Sequence, residues 1–303
     1  MYSALRGRDL LSIADLSRDD IEAILDHAAE LKAGRARPRP LDGRNLGMIF
    51  QRPSNRTRVS FEVAIQQLGG HPIPIFSQEI QLGQRESTAD VARILDRYLD
   101  GIVARLHFQT DLESIAANAA APVVSAMTDA EHPCQILADL LTVREHAGDG
   151  ATVTYIGDGN NVCSSWIYAA AILGLELRLV IPEGYEPRPQ VARRARQLGL
   201  AEIRTWPVNT ALEGTDVVYT DVWTSMGQED EHERRRQDFS ELQVNSALLQ
   251  MAPPTARVMH CLPAHRGEEI TDDVLDGPQS IVFDQAENRL HVQKAILSLI
   301  YAP

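Results

Sequence analysis

Short apolar runs recur along the whole chain, separated by spacers of helix length. The first half carries NLGMIF (45–50), PIPIF (72–76), GIVARL (101–106) and APVVSAM (121–127). The second carries VTYIG (153–157), ELRLVIP (176–182), EIRTW (202–206), VVYTDVW (217–223), ARVMHCL (256–262) and SIVFD (280–284). Apolar, β-branched runs of this kind read as strands covered on both faces, and spacers that long admit crossover helices, so the spacing predicts α/β layers on parallel sheets. At 303 residues the chain exceeds what one core usually fills, which argues for two domains. Their boundary falls in the helical pattern PCQILADLLTVREHAGDGA (133–151), and AENRLHVQKAILSLI (286–300) forms a closing helix. An opening helix is signalled by Ser17 as its cap, a Leu16–Ile21 staple, and Ile21, Ile24, Leu25, Ala28 and Leu31 on one face. GRARPRPLDGRN (34–45) reads as a loop.

A formal net charge of −13 leaves no basic field to attract nucleic acid or an anionic membrane surface. No apolar stretch approaches the ~18 residues of a membrane span, and the first residues lack an apolar export segment. Cys134, Cys163 and Cys261 are odd in number and widely spaced, unlike a disulfide framework or a paired metal motif. These features suit a soluble cytoplasmic protein.

FQRPSNRTRVSFE (50–62) runs against that acidic background, with Arg52, Arg56 and Arg58 among Ser54, Asn55 and Thr57. It lies between a strand and a helix, where free N–H groups, the helix dipole, hydroxyls and guanidinium forks together favour an anion. The alternative for this segment alone is a capped helix with solvated arginines. GDGNNV (157–162) resembles part of a dinucleotide fingerprint, but Val162 replaces its third glycine and no acidic ribose partner is evident.

SNRTR (54–58), Arg105 at a strand end, HPCQ (132–135), DGNN (158–161), DVWTSMG (221–227), HCLP (260–263) and AENRLH (286–291) follow one another over nearly the whole chain. In that order they resemble the aspartate/ornithine carbamoyltransferase family, and DVWTSMG with HCLP resembles its ornithine branch. The resemblance implies two parallel-sheet α/β domains joined by long helices. Residues 1–146, completed by a helix at 287–303, would form a carbamoyl phosphate domain, and 147–286 a Rossmann-like ornithine domain. It implies carbamoyl transfer from carbamoyl phosphate to the δ-amine of L-ornithine in arginine metabolism, with no metal, no cofactor and no covalent enzyme intermediate. It also implies a homotrimer or a multiple of trimers.

By the same resemblance, Ser54, Asn55, Arg56 and Thr57 hold the phosphate, and Arg105 bridges phosphate and carbonyl oxygen. His132 and Gln135 reach the carbamoyl oxygen and amide, Cys261, Leu262 and Arg289 add contacts at the carbamoyl group, and Gln81 reaches a neighbouring protomer's site. Arg105, His132 and Cys261 are the catalytic candidates; Cys134 reads as packing. Asn161, Asp221, Ser225 and Met226 are the ornithine contacts, and the SMG segment is the moving part. Two residues depart from the family's pattern: Asn55 stands where the phosphate turn has Thr, and Arg52 where the ornithine branch commonly has Lys. Two rivals remain, a transcarbamylase for putrescine or an N-acylated ornithine, and a non-catalytic carbamoyl phosphate binder.

Overall fold

The computed structural model describes residues 5–83, 85–200, 202–225 and 229–302. The chain divides into two compact units, Met1–Leu141 with Glu287–Pro303, and Thr142–Ala286. The helices Pro133–His146 and Val282–Ile300 carry the chain from one unit to the other.

In the first unit, β1 (Asn45–Phe50), β2 (His71–Phe76), β3 (Gly101–Arg105) and β4 (Val123–Met127) form a sheet in the order β2-β1-β3-β4. In the second, β5 (Val153–Ile156), β6 (Leu177–Val180), β7 (Val217–Thr220) and β8 (Arg257–His260) repeat that order as β6-β5-β7-β8. All pairings between these strands are parallel. The expected α/β class therefore holds.

Burial follows position in the sheet. Strands β3, β4, β5 and β7 are buried throughout, whereas the edge strand β2 is partly exposed along its length. Pro72 and Pro74 sit in β2 opposite Leu46 and Met48. Two residues apart, their missing N–H groups fall on one side of the strand, and an edge has an unpaired side to receive them. Helices cover the sheets, among them Asn55–Gln67 after β1, Gln109–Asn118 after β3 and Asn161–Leu173 after β5. The core of the second unit includes Tyr155 stacked on Tyr219 at 5.7 Å, with Trp166 edge-on to Tyr219 at 5.5 Å.

Two expected strands do not form. At 202–206 only Thr205 bridges to Leu179, with one hydrogen bond from Trp206 N to Leu179 O at 2.8 Å. Pro207 follows at once and has no N–H to extend the ladder, while Arg178 and Arg204 lie over the Trp206 ring. At 280–284 pairing with Val258 lasts only from Gln279 to Ile281. From Val282 the chain is helical: Val282 and Gln285 are buried, and Phe283 and Asp284 exposed, which is a helical rather than an alternating pattern. The polar stretch after β2 contains a short helix, Ser77–Ile80.

The opening helix spans Arg18–Lys32 and begins in a capping box, with Ser17 Oγ accepting from Asp20 N at 3.1 Å and Asp20 Oδ2 from Ser17 N at 3.0 Å. Leu16 and Ile21 are both buried beside it. Among the described residues no helix is long and apolar enough to cross a membrane. Because the cap satisfies a helix-end donor, Ser17→Ala should lower folding stability by about 1 kcal/mol, read from urea unfolding of the full-length protein.

Candidate functional site

A sheet wound β2-β1-β3-β4 changes winding direction between β1 and β3, which leaves an opening at the carboxyl ends of those two strands. SNRTR follows β1 and Arg105 ends β3, so both stand at that point. A register shift between Ala104 and Arg105 against β4 bends the strand there, as bulges beside functional residues commonly do.

Ser54 is the cap of the helix Asn55–Gln67, with extended backbone and its Oγ accepting from Thr57 N at 3.3 Å. The Ser54 hydroxyl donates to Thr57 Oγ1 at 3.0 Å, and Arg289 Nη2 donates to the same oxygen at 2.8 Å. A residue near the chain's end is thus joined to the turn after β1. Asn55 is exposed in the first helical turn and does not cap it. The positive charge of the stretch is divided: Arg58 pairs with Glu62 at 3.0 Å, and Arg52 Nε donates to His107 Nδ1 at 2.9 Å.

His132 precedes the helix Pro133–His146 and is buried. Burial, and then the guanidiniums of Arg289, Arg105 and Arg56, hold its pKa well below the usual imidazole range, so it is neutral at pH 7. Arg105 and Arg289 are themselves buried. Three cations gathered about a neutral imidazole form a strong local anion field in an acidic chain. One turn on, Gln135 donates to Asp139 at 2.8 Å. Cys134 is fully buried, donates to Ser125 O at 3.3 Å, and has its thiol pushed up to about 12 by burial, so it is inert. Gln81 is exposed after the helix Ser77–Ile80 with φ 42°; among the described residues no side-chain hydrogen bond ties it to this cluster.

The second unit repeats the geometry with different chemistry. DGNN follows β5 and Asp221 follows β7, at the switch point of β6-β5-β7-β8. Asn160 Nδ2 donates to Asp221 Oδ2 at 2.7 Å, while Asn160 Oδ1 caps the helix Asn161–Leu173 by accepting from Val162 N and Cys163 N. Cys261 Sγ donates to Asp221 Oδ1 at 2.9 Å, and Val222 N donates to the same oxygen at 2.8 Å. Asp221 and Cys261 therefore meet, as a buried carboxylate beside a half-buried thiol. Leu262 has φ 58°, and its N–H donates to His260 Nδ1 at 2.8 Å. With Nδ1 accepting, Nε2 carries the proton and donates to Glu269 Oε1 at 3.0 Å. Asn161 opens its helix and Ser225 is half-buried; Met226 lies outside the described residues.

Sequence reasoning missed Asn160, although an Asn before an apolar helical run is the ordinary signal of a helix cap. It also missed Asp158 and Arg235. Arg235 Nη1 lies 3.0 Å from Asp158 Oδ2 and donates to Trp223 O at 3.0 Å, its Nε lies 2.9 Å from Glu231 Oε2, and its guanidinium sits 4.9 Å from the Tyr185 ring centroid. Burial pushes Asp158 up to about 6, with Arg235 pulling it down and Asp221 and Glu231 pushing it further up. Nothing in the charged run HERRRQD distinguishes Arg235 from Arg234 or Arg236, since its distinction is purely spatial.

The chain matches two family models, the carbamoyl-P binding domain of aspartate/ornithine carbamoyltransferase over residues 8–145 and its Asp/Orn binding domain over residues 149–300. It is 50% identical to the ornithine carbamoyltransferase of Symbiobacterium thermophilum over 99% of this chain and 100% of that one. It is 51% identical to that of Thermosynechococcus vestitus, covering 98% and 97%. The solved structure of the Pyrococcus furiosus enzyme of the same name superposes with a TM-score of 0.93 at 48% identity, covering 98% of this chain and 97% of that one. The arginine cluster after β1 and β3, the Asp221–Cys261 contact and these full-length similarities agree, and the chain belongs to the aspartate/ornithine carbamoyltransferase family.

Proposed function

We propose that the chain transfers the carbamoyl group of carbamoyl phosphate to the δ-amine of L-ornithine, giving L-citrulline and phosphate. The first unit holds carbamoyl phosphate and the second holds ornithine. The observation that carries this reading is the set of Arg56, Arg105 and Arg289 about a neutral His132, since it suits a dianion that also bears a polarised carbonyl. The ornithine carbamoyltransferase name of the relatives supports ornithine as the acceptor.

Ser54, Asn55, Arg56 and Thr57 take the phosphate oxygens at the helix N-terminus, and Arg105 spans phosphate and carbonyl oxygen. His132, being neutral, donates an N–H to the carbonyl oxygen without adding a charge that needs solvation. Gln135, Leu262 and Arg289 serve the carbamoyl group, and Cys261 stands beside the δ-amine. Asp221, Ser225 and the main chain at Met226 hold the α-ammonium, and Asn161 the α-carboxylate end. The neutral δ-amine attacks the carbamoyl carbon, negative charge grows on the oxygen facing Arg105 and His132, and phosphate departs into the cationic turn. Ornithine's δ-amine is protonated in water, with a pKa near ~10, so selecting its neutral form is part of the chemistry. We also assign a homotrimeric assembly in the cytoplasm, with Gln81 serving the neighbouring protomer.

A fixed carboxylate at Asp221 favours an acceptor with a free α-ammonium, which putrescine and N-acetyl-L-ornithine lack. Purified protein given carbamoyl phosphate should form citrulline from ornithine and carbamoylate neither of the other two at a comparable rate. Faster turnover of either would overturn the acceptor, and no turnover at all the transfer reading. Arg105→Ala should lower kcat by ~10²–10³ or more with an unchanged circular dichroism spectrum, because one charged donor to the transition state is lost. L-Norvaline keeps ornithine's α-groups but has no δ-amine to titrate, so it reports on the amino-acid grip alone. Asp158 is neutral below about 6, where its ion pair with Arg235 disappears. Norvaline affinity, measured by calorimetry, should fall several-fold as pH drops through that value, and Asp158→Asn should flatten this limb.

A further inference from the structure

The turn after β8 gathers imidazole and carboxylate groups that make none of the substrate contacts assigned above. His265 Nδ1 lies 3.7 Å from Glu268 Oε2 near the surface. Glu269 is fully buried next to them, and one potential ligand atom from each of His265, Glu268 and Glu269 lies within 4.8 Å of the other two. His232, at the start of the helix His232–Asp238, brings Nε2 to 3.3 Å from both oxygens of Glu268.

Glu269 Oε1 is occupied, accepting from His260 Nε2 at 3.0 Å and from His265 N at 2.6 Å. Its Oε2 is buried with no hydrogen-bond partner among the described residues. A carboxylate oxygen taken out of water without a partner is costly, and a second carboxylate close by adds repulsion. A cation bound between the two relieves both penalties. Imidazole nitrogen with carboxylate oxygen is the donor set of a divalent transition metal. Tetrahedral ligands about 2.0–2.1 Å from zinc stand roughly 3.3–3.5 Å from one another. The separation of 3.7 Å from His265 Nδ1 to Glu268 Oε2 is close to that spacing before any adjustment.

We propose that His265, Glu268 and Glu269 form a Zn²⁺ site on the turn 265–269, to which Glu268 joins His232 of the helix His232–Asp238. The ion lies outside the residues assigned to the transfer chemistry.

A second group, Asp221, His260 and Cys261, also has ligand atoms within 4.8 Å of one another, and the test must separate the two. Full-length protein stripped with a chelator is titrated with Zn²⁺ by calorimetry and with Co²⁺ by visible absorption. Expected is saturable Zn²⁺ binding, and Co²⁺ d–d bands without a thiolate charge-transfer band. His265→Ala and Glu268→Gln, each with an unchanged circular dichroism spectrum, should weaken Zn²⁺ binding at least about ten-fold, and Cys261→Ser should leave it intact. Absence of binding, or full retention in both His265→Ala and Glu268→Gln, overturns the proposal. So does a thiolate band together with loss of binding in Cys261→Ser, which assigns the ion to the other group.

Discussion

Reversal of winding direction within each parallel sheet is the constraint on which everything else rests. Because β1 connects to β2 on one side while β3 leads to β4 on the other, the crossover helices part at the carboxyl ends of β1 and β3 and cannot cover them. The backbone groups there are not consumed by the ladder, and the helix that starts after β1 turns its N-terminal N–H groups toward the same place. The second sheet repeats the order, so each unit has one uncovered edge and places its polar residues on it. Other strand edges are paired, covered or, as in β2, softened by proline.

What the first unit does with its edge is electrostatic. Burying Arg105 and Arg289 costs desolvation, and His132 is held neutral first by its own burial and then by these guanidiniums, since its protonation would add one more cation to the group. A dianion reverses the balance, because its attraction to several guanidiniums in a partly desolvated setting is far greater than it would be in water. The net charge of −13 does not oppose this, since distant surface charges are screened within about 8–10 Å while the cluster acts at contact range. Arg52 and Arg58 are spent on His107 and Glu62, which leaves Arg56 from the turn to join the two buried arginines.

The second unit solves a different problem, that of holding one carboxylate in a fixed orientation. Asp221 accepts from Asn160 and Val222, and the Cys261 thiol points at the same group. Asn160 is itself fixed by capping the next helix, so helix geometry and carboxylate geometry are set together. Arg235 reaches residues on both sides of 226–228, through Trp223 and Glu231, and returns them to Asp158 in the turn after β5. The HCLP segment is held in a similar way, by the His260 contact to Leu262 on one ring nitrogen and to Glu269 on the other.

The four strands of the first sheet, the parallel pairing and the placing of SNRTR, Arg105, DGNN, Asp221 and HCLP at strand ends were legible in the sequence, because burial on both faces demands continuous apolar runs and crossover helices demand long spacers. The cap at Ser17 and the turn at SNRTR were legible for the same local reason: residues three and four apart satisfy each other's backbone groups. The failures at 202–206 and 280–284 are also instructive, since apolar content alone does not decide between an edge contact, a helix start and a strand without knowledge of which neighbour supplies the hydrogen bonds. Long-range pairings were decided by tertiary structure alone: Arg289 on Thr57, Asn160 on Asp221, Arg235 on Asp158, and Glu269 on His260. Local sequence carries propensity and periodicity; which charges end up sharing a partner depends on where the chain returns, and that is set by packing of the sheets and helices as a whole.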